Sequence, residues 1–579
     1  MRKLLKYLRH YKKESIIGPL FKLLEACFEL TVPIIMARMI DVGIKNQNMS
    51  FVWKMGGILV AFGVLGLACS LTAQYFAAKA AVGFGTELRE DFFRHIGRLS
   101  YRELDMVGNA TLVTRITSDI NQVQSGVNLV LRLFLRSPFI VVGAMAMAFT
   151  ISVKLALIFV VAVPLLSVVI YGIMIWTIPL YRKVQKRLEK VMLMTRENLS
   201  GVRVVRAFRM QEREKEEFRQ ETKNLMHMQI FVGKISALLN PITYLIVNGA
   251  TILIVWFGGQ EVYYGNLSQG EIVALVNYMS QILLALVALA NLIITFTKAL
   301  ASAERINEVL ALETSIHGGD GVAEETKNGE MKIELDKVSM MYYGDKEEVL
   351  SDITLSVKRG ETVGIIGGTG SGKTTLINLL PRFYDVFSGS VKIDGRDVKE
   401  YDLTALREKF GIVPQKAVLF HGTIRDNMLF GNENASDEEI WEALRIAQAG
   451  NIVKDKEKEL DTIVQEGGKN LSGGQKQRLT IARALVRKPE ILILDDSTSA
   501  LDFATDAKLR KAIAKHTDSM TVCIVSQRVM SMMKADKIFV LDKGKLVGSG
   551  THGELLKNCE VYREICSSQL SKEEVSDHA

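Results

Sequence analysis

Two short stretches carry residues that can do chemistry. The first is "GIIGGTGSGKTTL", residues 364–376, which follows the β-branched run "ETVGII" and opens a helical stretch. It fits G-x-x-x-x-G-K-[ST] through Gly367, Gly372, Lys373 and Thr374. In that pattern Gly367, Gly368, Thr369, Gly370 and Ser371 let backbone N–H groups turn inward on a phosphate, and Gly372 opens the helix. Lys373 then reaches the outer phosphates, and the Thr374 hydroxyl, beside Thr375, can ligate Mg²⁺. The second stretch is "LILDDSTSALD", Leu492 to Asp502. Asp495 ends an apolar strand, so its carboxylate emerges at the carboxyl edge of a sheet, where ligands of open α/β sheets bind. Asp496 follows it, at the place where a hydrolytic site wants a base.

These residues need an α/β scaffold. The runs "ETVGII", "KFGIVP", "EILILD", "TVCIVS" and "KIFVLD" alternate with helical stretches, which predicts a largely parallel sheet. Before them lies a different kind of sequence. The first ~310 residues hold six apolar segments near the ~20 residues that cross a bilayer, at about 16–44, 55–80, 128–151, 155–178, 237–258 and 272–297. Three connections between them are short: "KNQNMS", "SVK" and "GGQEVYYGNLSQG". The other two are charged, tens of residues long and helical in pattern, so helices should run on past the membrane. This divides the chain into a membrane domain at 1–310, a glycine- and charge-rich linker at 311–330, a nucleotide domain at 331–570 and a C-terminal tail at 571–579.

Bulk properties agree. Of 579 residues, 48% are hydrophobic, which suits a membrane region joined to a soluble one. The net charge of +8 is concentrated in clusters such as "MRKLLKYLRHYKKES" that flank apolar segments. It reads as a topology signal, with the N-terminus cytoplasmic, and not as a nucleic-acid footprint. Five scattered cysteines have no metal-ligand spacing and form no disulfide framework.

The stretch "NLSGGQKQRLTIARAL" resembles the signature of ATP-binding cassette (ABC) proteins, here Ser472, Gly473, Gly474 and Gln475 after Leu471. Other segments resemble that family in the same order. Tyr342 in "VSMMYYG" stands where an aromatic stacks on adenine. Gln415 in "GIVPQKAVLFHGTIRDN" matches the glutamine that senses the γ-phosphate and metal. Glu466 resembles an exporter-specific loop, and Ser499 to Asp502 match the loop that touches the opposite subunit. "ELDMVGNATLVTRITSDINQV" and "RENLSGVRVVRAF" are similar to the cytoplasmic loops of ABC exporters. The resemblance implies six long helices followed by one α/β P-loop domain in a plasma-membrane exporter. It also implies ATP and Mg²⁺ as cofactors, with Thr374, Gln415 and Asp495 at the metal. ATP would lie between one subunit's phosphate loop and the other's signature.

Two positions depart from the family pattern. Asp496 replaces the usual glutamate, and Gln527 in "IVSQRVM" replaces the usual histidine. The shorter acid withdraws its carboxylate by roughly 1.5 Å, and misplacements of that order cost ~100-fold in rate. Glutamine can bond a γ-phosphate but cannot carry histidine's charge. Both lie in one composite site, while the signature is intact. The expectation is a heterodimer in which this chain's own site hydrolyses slowly and a second half-transporter supplies the working one. The expected cargo is a hydrophobic or cationic amphiphilic small molecule. A lipid or peptide is an alternative, as is an ATP-gated channel or membrane nucleotide sensor. The first apolar segment contains Lys22, Glu25, Glu29 and Arg38. Its carboxylates could attract cations or pair with Lys22, Arg132 or Arg136.

Overall fold

The computed structural model describes residues 2–321, 330–345, 347–497, 501–516 and 520–569. Part of the expected linker, the expected tail, and Ser499 and Ala500 lie outside the described residues. The chain divides into two compact units, Met1–Gly97 with Asn109–Leu312 and Arg98–Gly108 with Glu313–Ala579. A helical membrane domain thus precedes an α/β P-loop domain.

Among the described residues, five helical stretches are long and apolar enough to cross a bilayer: Met49–Ile96, Asn109–Ile151, Val153–Ser200, Gln211–Tyr263 and Gln269–Leu310. The helix Lys12–Arg38 covers most of the expected first span, is 27 residues long and packs in the same bundle. Lys22, Glu25 and Glu29 in its middle set it apart in polarity, not in length. The helices Met49–Ile96 and Val153–Ser200 each run for 48 residues, about 72 Å at 1.5 Å per residue, and so continue well beyond a hydrocarbon core.

Side-chain size sets how these helices meet. On Met49–Ile96, Ala73, Ala77, Ala80 and Ala81 are buried, while Val60, Val64, Leu67 and Leu71 are exposed. The small stripe lets the first helix come close: a Cβ on Gly18 would lie 3.3 Å from the Ala77 nitrogen. The Tyr278 hydroxyl donates to the Leu30 carbonyl at 2.7 Å, joining the last helix to the first. Further along, Asp119 accepts from Ser302 at 3.0 Å and from Arg115 at 2.9 Å, and also pairs with Arg305.

Among the described residues, the second unit contains three sheets. One is antiparallel, in the order β2-β1-β4-β5 (Leu350–Lys358, Met331–Met340, Ser388–Ile393, Arg396–Asp397). The largest has the order β12-β11-β3-β10-β9-β6 (Lys545–Gly550, Lys537–Asp542, Thr362–Gly367, Thr521–Val525, Ile491–Asp495, Phe410–Val413). It is parallel except for β12. β7 (Gly422–Thr423) and β8 (Ile463–Val464) form a small pair. The five predicted strands became β3, β6, β9, β10 and β11. Strands β9 and β10 are buried throughout because helices cover both faces of a parallel sheet.

A buried charge cluster ties the two larger sheets together. Lys332 on β1 pairs with Asp394 at 2.6 Å and also with Glu490, and Lys409 pairs with Asp394 and Glu490 at 3.0 Å each. Lys332 and Asp394 are fully buried. Removing one partner strands a charge out of water, so Lys332→Met should destabilise the nucleotide domain by about 3–5 kcal/mol. Chemical denaturation of the full chain, followed by a probe in that domain, measures this.

Candidate nucleotide-binding site

The site is built at the carboxyl edge of the parallel sheet. Strand β3 ends at Gly367, and the helix Lys373–Leu379 begins six residues later. Between them the backbone enters conformations that side chains resist: Gly370 has φ +79° and Gly372 φ +94°. A Cβ on Gly367 would lie 2.2 Å from the Leu541 carbonyl oxygen, so the loop can pack this close to β11 only without a side chain. The result is a cavity of about 240 Å³ lined by residues 369–375 with Gln415, Asp495, Asp496 and Gln527.

Lys373 folds over this loop. Its Nζ donates to the carbonyls of Gly367 at 2.9 Å and Gly368 at 2.6 Å, and to Ser371 Oγ at 3.3 Å. Burial holds its pKa below the ordinary ammonium value, against the pull of Asp496 and Asp495. The Thr374 hydroxyl lies 3.2 Å from an Asp495 carboxylate oxygen. Asp495 is buried, and burial raises its pKa above the usual range, while Thr374 pulls it down. A carboxylate and a hydroxyl converging out of water suit a hard divalent cation with oxygen ligands, so these residues fit Mg²⁺.

Asp496 leaves β9 in the left-handed region, at φ +41°, with its N–H donating to the Val525 carbonyl at 2.8 Å. Burial raises its carboxyl pKa; the nearby Arg528 and hydrogen bonds from the Gln415 and Ser526 side chains oppose that shift. Gln527, itself exposed, follows β10 between buried Ser526 and part-buried Arg528. Phosphate loop, both aspartates, Gln415 and Gln527 therefore line one cavity.

Tyr342 stands beside this group. Its hydroxyl is 3.0 Å from Thr375 Oγ1, and its ring meets Tyr384 edge-on at 5.3 Å. Both tyrosines line a second cavity of about 770 Å³ together with Tyr343, Arg102 and Asp105. Arg102 and Asp105 belong to the short helix Tyr101–Val107, which is part of the second unit although it lies far upstream. Tyr384 donates to Asp105 at 2.5 Å, and the Tyr101 ring lies 4.8 Å from Phe383. Sequence reading missed Tyr384, Asp105 and Arg102 as parts of this site.

The signature residues lie elsewhere. Ser472 caps the helix Gly473–Val486: its Oγ accepts from the Gln475 N–H at 3.3 Å, and the Gln475 side chain accepts from the Ser472 N–H at 3.0 Å. Ser472 and Gly473 are exposed, and none of Ser472, Gly473, Gly474 and Gln475 lines the phosphate cavity. His552 is buried against the Tyr562 hydroxyl at 2.7 Å and is structural. All five cysteines are free thiols.

A membrane-spanning helical domain fused to a phosphate-binding ATPase domain defines the class. Residues 15–286 match the ABC transporter transmembrane region, and residues 350–499 match the ABC transporter family. An uncharacterized ABC transporter ATP-binding protein of Bacillus subtilis, YfiB, is 36% identical over 99% of both chains. A putative multidrug export ATP-binding/permease protein of the same organism, YgaD, is 30% identical over 98% of this chain and 99% of that one. An ATP-dependent lipid A-core flippase of Syntrophus aciditrophicus is 32% identical over 85% of this chain and 81% of the relative. The fold matches a bacterial Atm1-family ABC exporter solved with ATP bound, with a TM-score of 0.80, 24% identity and coverage of 97% of this chain and 100% of that one. The chain belongs to the ABC transporter family, as an exporter-type transport ATPase.

The electrostatics of Asp495 give a test. A carboxyl whose pKa is raised by folding holds its proton more tightly when folded, so it costs stability as pH rises through that raised value. Asp495→Asn should therefore leave nucleotide-free protein at neutral pH as stable as the parent, or more so. The same substitution should abolish the rise in melting temperature that Mg²⁺ with ATP produces. Thermal unfolding with and without Mg²⁺ and ATP checks both.

Proposed function

We propose that this chain is one half of a heterodimeric exporter in which its own ATP site hydrolyses slowly. In this reading Tyr342 stacks on adenine, and residues 367–375 hold the phosphates. Thr374, Asp495 and Gln415 hold Mg²⁺, which would neutralise phosphate charge. Asp496 and Gln527 flank the γ-phosphate. The exposed signature from Ser472 to Gln475 completes a second site on the partner's phosphate loop. The membrane domain, residues 1–310, lies in the cell membrane, with the N-terminus and the nucleotide domain, residues 331–570, in the cytoplasm.

The observation that carries this reading is Asp496. Its short carboxylate is hydrogen-bonded by the Gln415 and Ser526 side chains. A general base must reach the attacking water, and an acid one methylene shorter than glutamate and engaged in this way falls short of it. ATP binding and closure of the dimer do not need that base. A slow site can thus still drive a change in access while the partner's site turns over.

The cargo in this reading is an amphiphile of the multidrug kind. A lipid is the second reading. It gains support because Glu25 and Glu29 are engaged by Lys22 and Arg136, which removes the free negative charge a preference for cations would need. A purely nucleotide-sensing role predicts ATPase that ignores cargo, whereas a pump predicts stimulation.

Purified alone, the chain should show little ATPase, and co-expression with its partner should restore it. The double substitution Asp496→Glu with Gln527→His should raise turnover by the single chain on the order of 10- to 100-fold, the range that ~1 Å of placement commands. Steady-state phosphate release measures both. Brisk turnover by the unmodified chain alone would overturn the proposal.

A further inference from the structure

The segment that carries Gln527 to the phosphate cavity is held from outside the site. β10 ends at Val525, and a short helical turn, Val529–Ser531, follows. Gln527 lies on the link between them and lines the cavity. The side-chain amide of Gln569 straddles this link. Its Nε2 donates to the Gln527 carbonyl at 2.7 Å, and its Oε1 accepts from the Val529 N–H at 3.0 Å. One planar group thus pins the backbone on both sides of Arg528. Only an amide side chain can do both: a carboxylate has no donor for the carbonyl, and an ammonium has no acceptor for the N–H.

The arm that presents this amide is itself anchored. Gln569 ends the helix Glu560–Gln569. Tyr562 and Cys566 on that helix are fully buried, in one apolar cluster with Val529, Met532, Val540 and Ile366. Ile366 directly precedes Gly367, where the phosphate loop starts. The loop and the Gln527 segment therefore rest on the same cluster as the helix that carries Gln569. Gln569 itself is exposed, so its two hydrogen bonds can be removed without opening that core.

We propose that Gln569 is a positioning residue for the ATP site: it fixes the backbone from Gln527 to Val529, so that the Gln527 side chain is held for the γ-phosphate before nucleotide arrives. This rests on the reading above that puts Gln527 beside the γ-phosphate. A segment ordered in advance does not have to be ordered on binding, and affinity gains by that difference. ADP has no γ-phosphate, so the gain falls to ATP alone. Gln569 thereby sets part of the preference for ATP over ADP without touching either nucleotide.

The test uses the full chain in phosphatidylcholine nanodiscs. Binding of ATPγS and of ADP, each with Mg²⁺, is titrated by calorimetry. Gln569→Met keeps the length of the side chain and removes both hydrogen bonds. It should weaken ATPγS binding by about 3- to 10-fold, the net worth of a hydrogen bond, and leave ADP affinity unchanged. Gln569→Glu keeps the acceptor but loses the donor to Gln527, and should behave like Gln569→Met. Gln527→Ala should show the same loss for ATPγS alone. Combining it with Gln569→Met should cost nothing further, because both act through one side chain. An equal fall for both nucleotides, no fall for either, full affinity in Gln569→Glu, or additive losses in the double variant would each overturn the inference. If Gln527→Ala loses ATPγS while Gln569→Met does not, only the positioning role falls. If Gln527→Ala binds both nucleotides like the parent, the γ-phosphate role given to Gln527 falls with it.

Discussion

A carboxylate kept out of water without a full cationic partner is costly, and the nucleotide unit is arranged around one. Asp495 ends a fully buried strand, and the group hydrogen-bonded to it is the Thr374 hydroxyl. Strand order puts it there. β9 lies between β6 and β10, one strand from β3, so the carboxyl ends of these strands bring Gln415, Asp495, Gln527 and the phosphate loop to one edge. The cavity is thus a place where ligand charge relieves a burden the fold already carries. Binding and folding are linked through the same atoms.

The membrane unit meets the same constraint differently. A charge on a membrane-spanning helix is costly unless paired, and Lys22, Glu25 and Glu29 each find a partner across or along helices. Pairing also answers a question that one helix cannot. Glu25 and Glu29 are four apart and look alike in sequence, yet one pairs within its own helix and the other with a residue 107 positions away.

The phosphate loop, Asp495, Asp496 and the five core strands were legible because their chemistry is local: consecutive residues in fixed order with a β-branched run before them. The long helices that run on past the apolar segments were legible from periodicity. The antiparallel sheet was not anticipated, since β1 and β2 mix charged and apolar residues and fall short of a clean apolar run. Nor was the wall beside Tyr342, because Tyr384 and Asp105 are 279 residues apart and nothing in either stretch points to the other. The first membrane helix gave its length and the candidate partners of its carboxylates, but not which glutamate takes which partner. That choice depends on Arg136 arriving from another helix.

The helix Tyr101–Val107 counts with the nucleotide unit, not with the membrane helices that flank it in sequence. The soluble part is therefore discontinuous along the gene. A truncation starting at residue 331 would lack Tyr101, Arg102 and Asp105 and would expose Phe383 and Tyr384 as a sticky aromatic face. What such a fragment does with nucleotide describes an unfinished pocket. A short piece of the N-terminal half of the sequence is in this sense part of the motor.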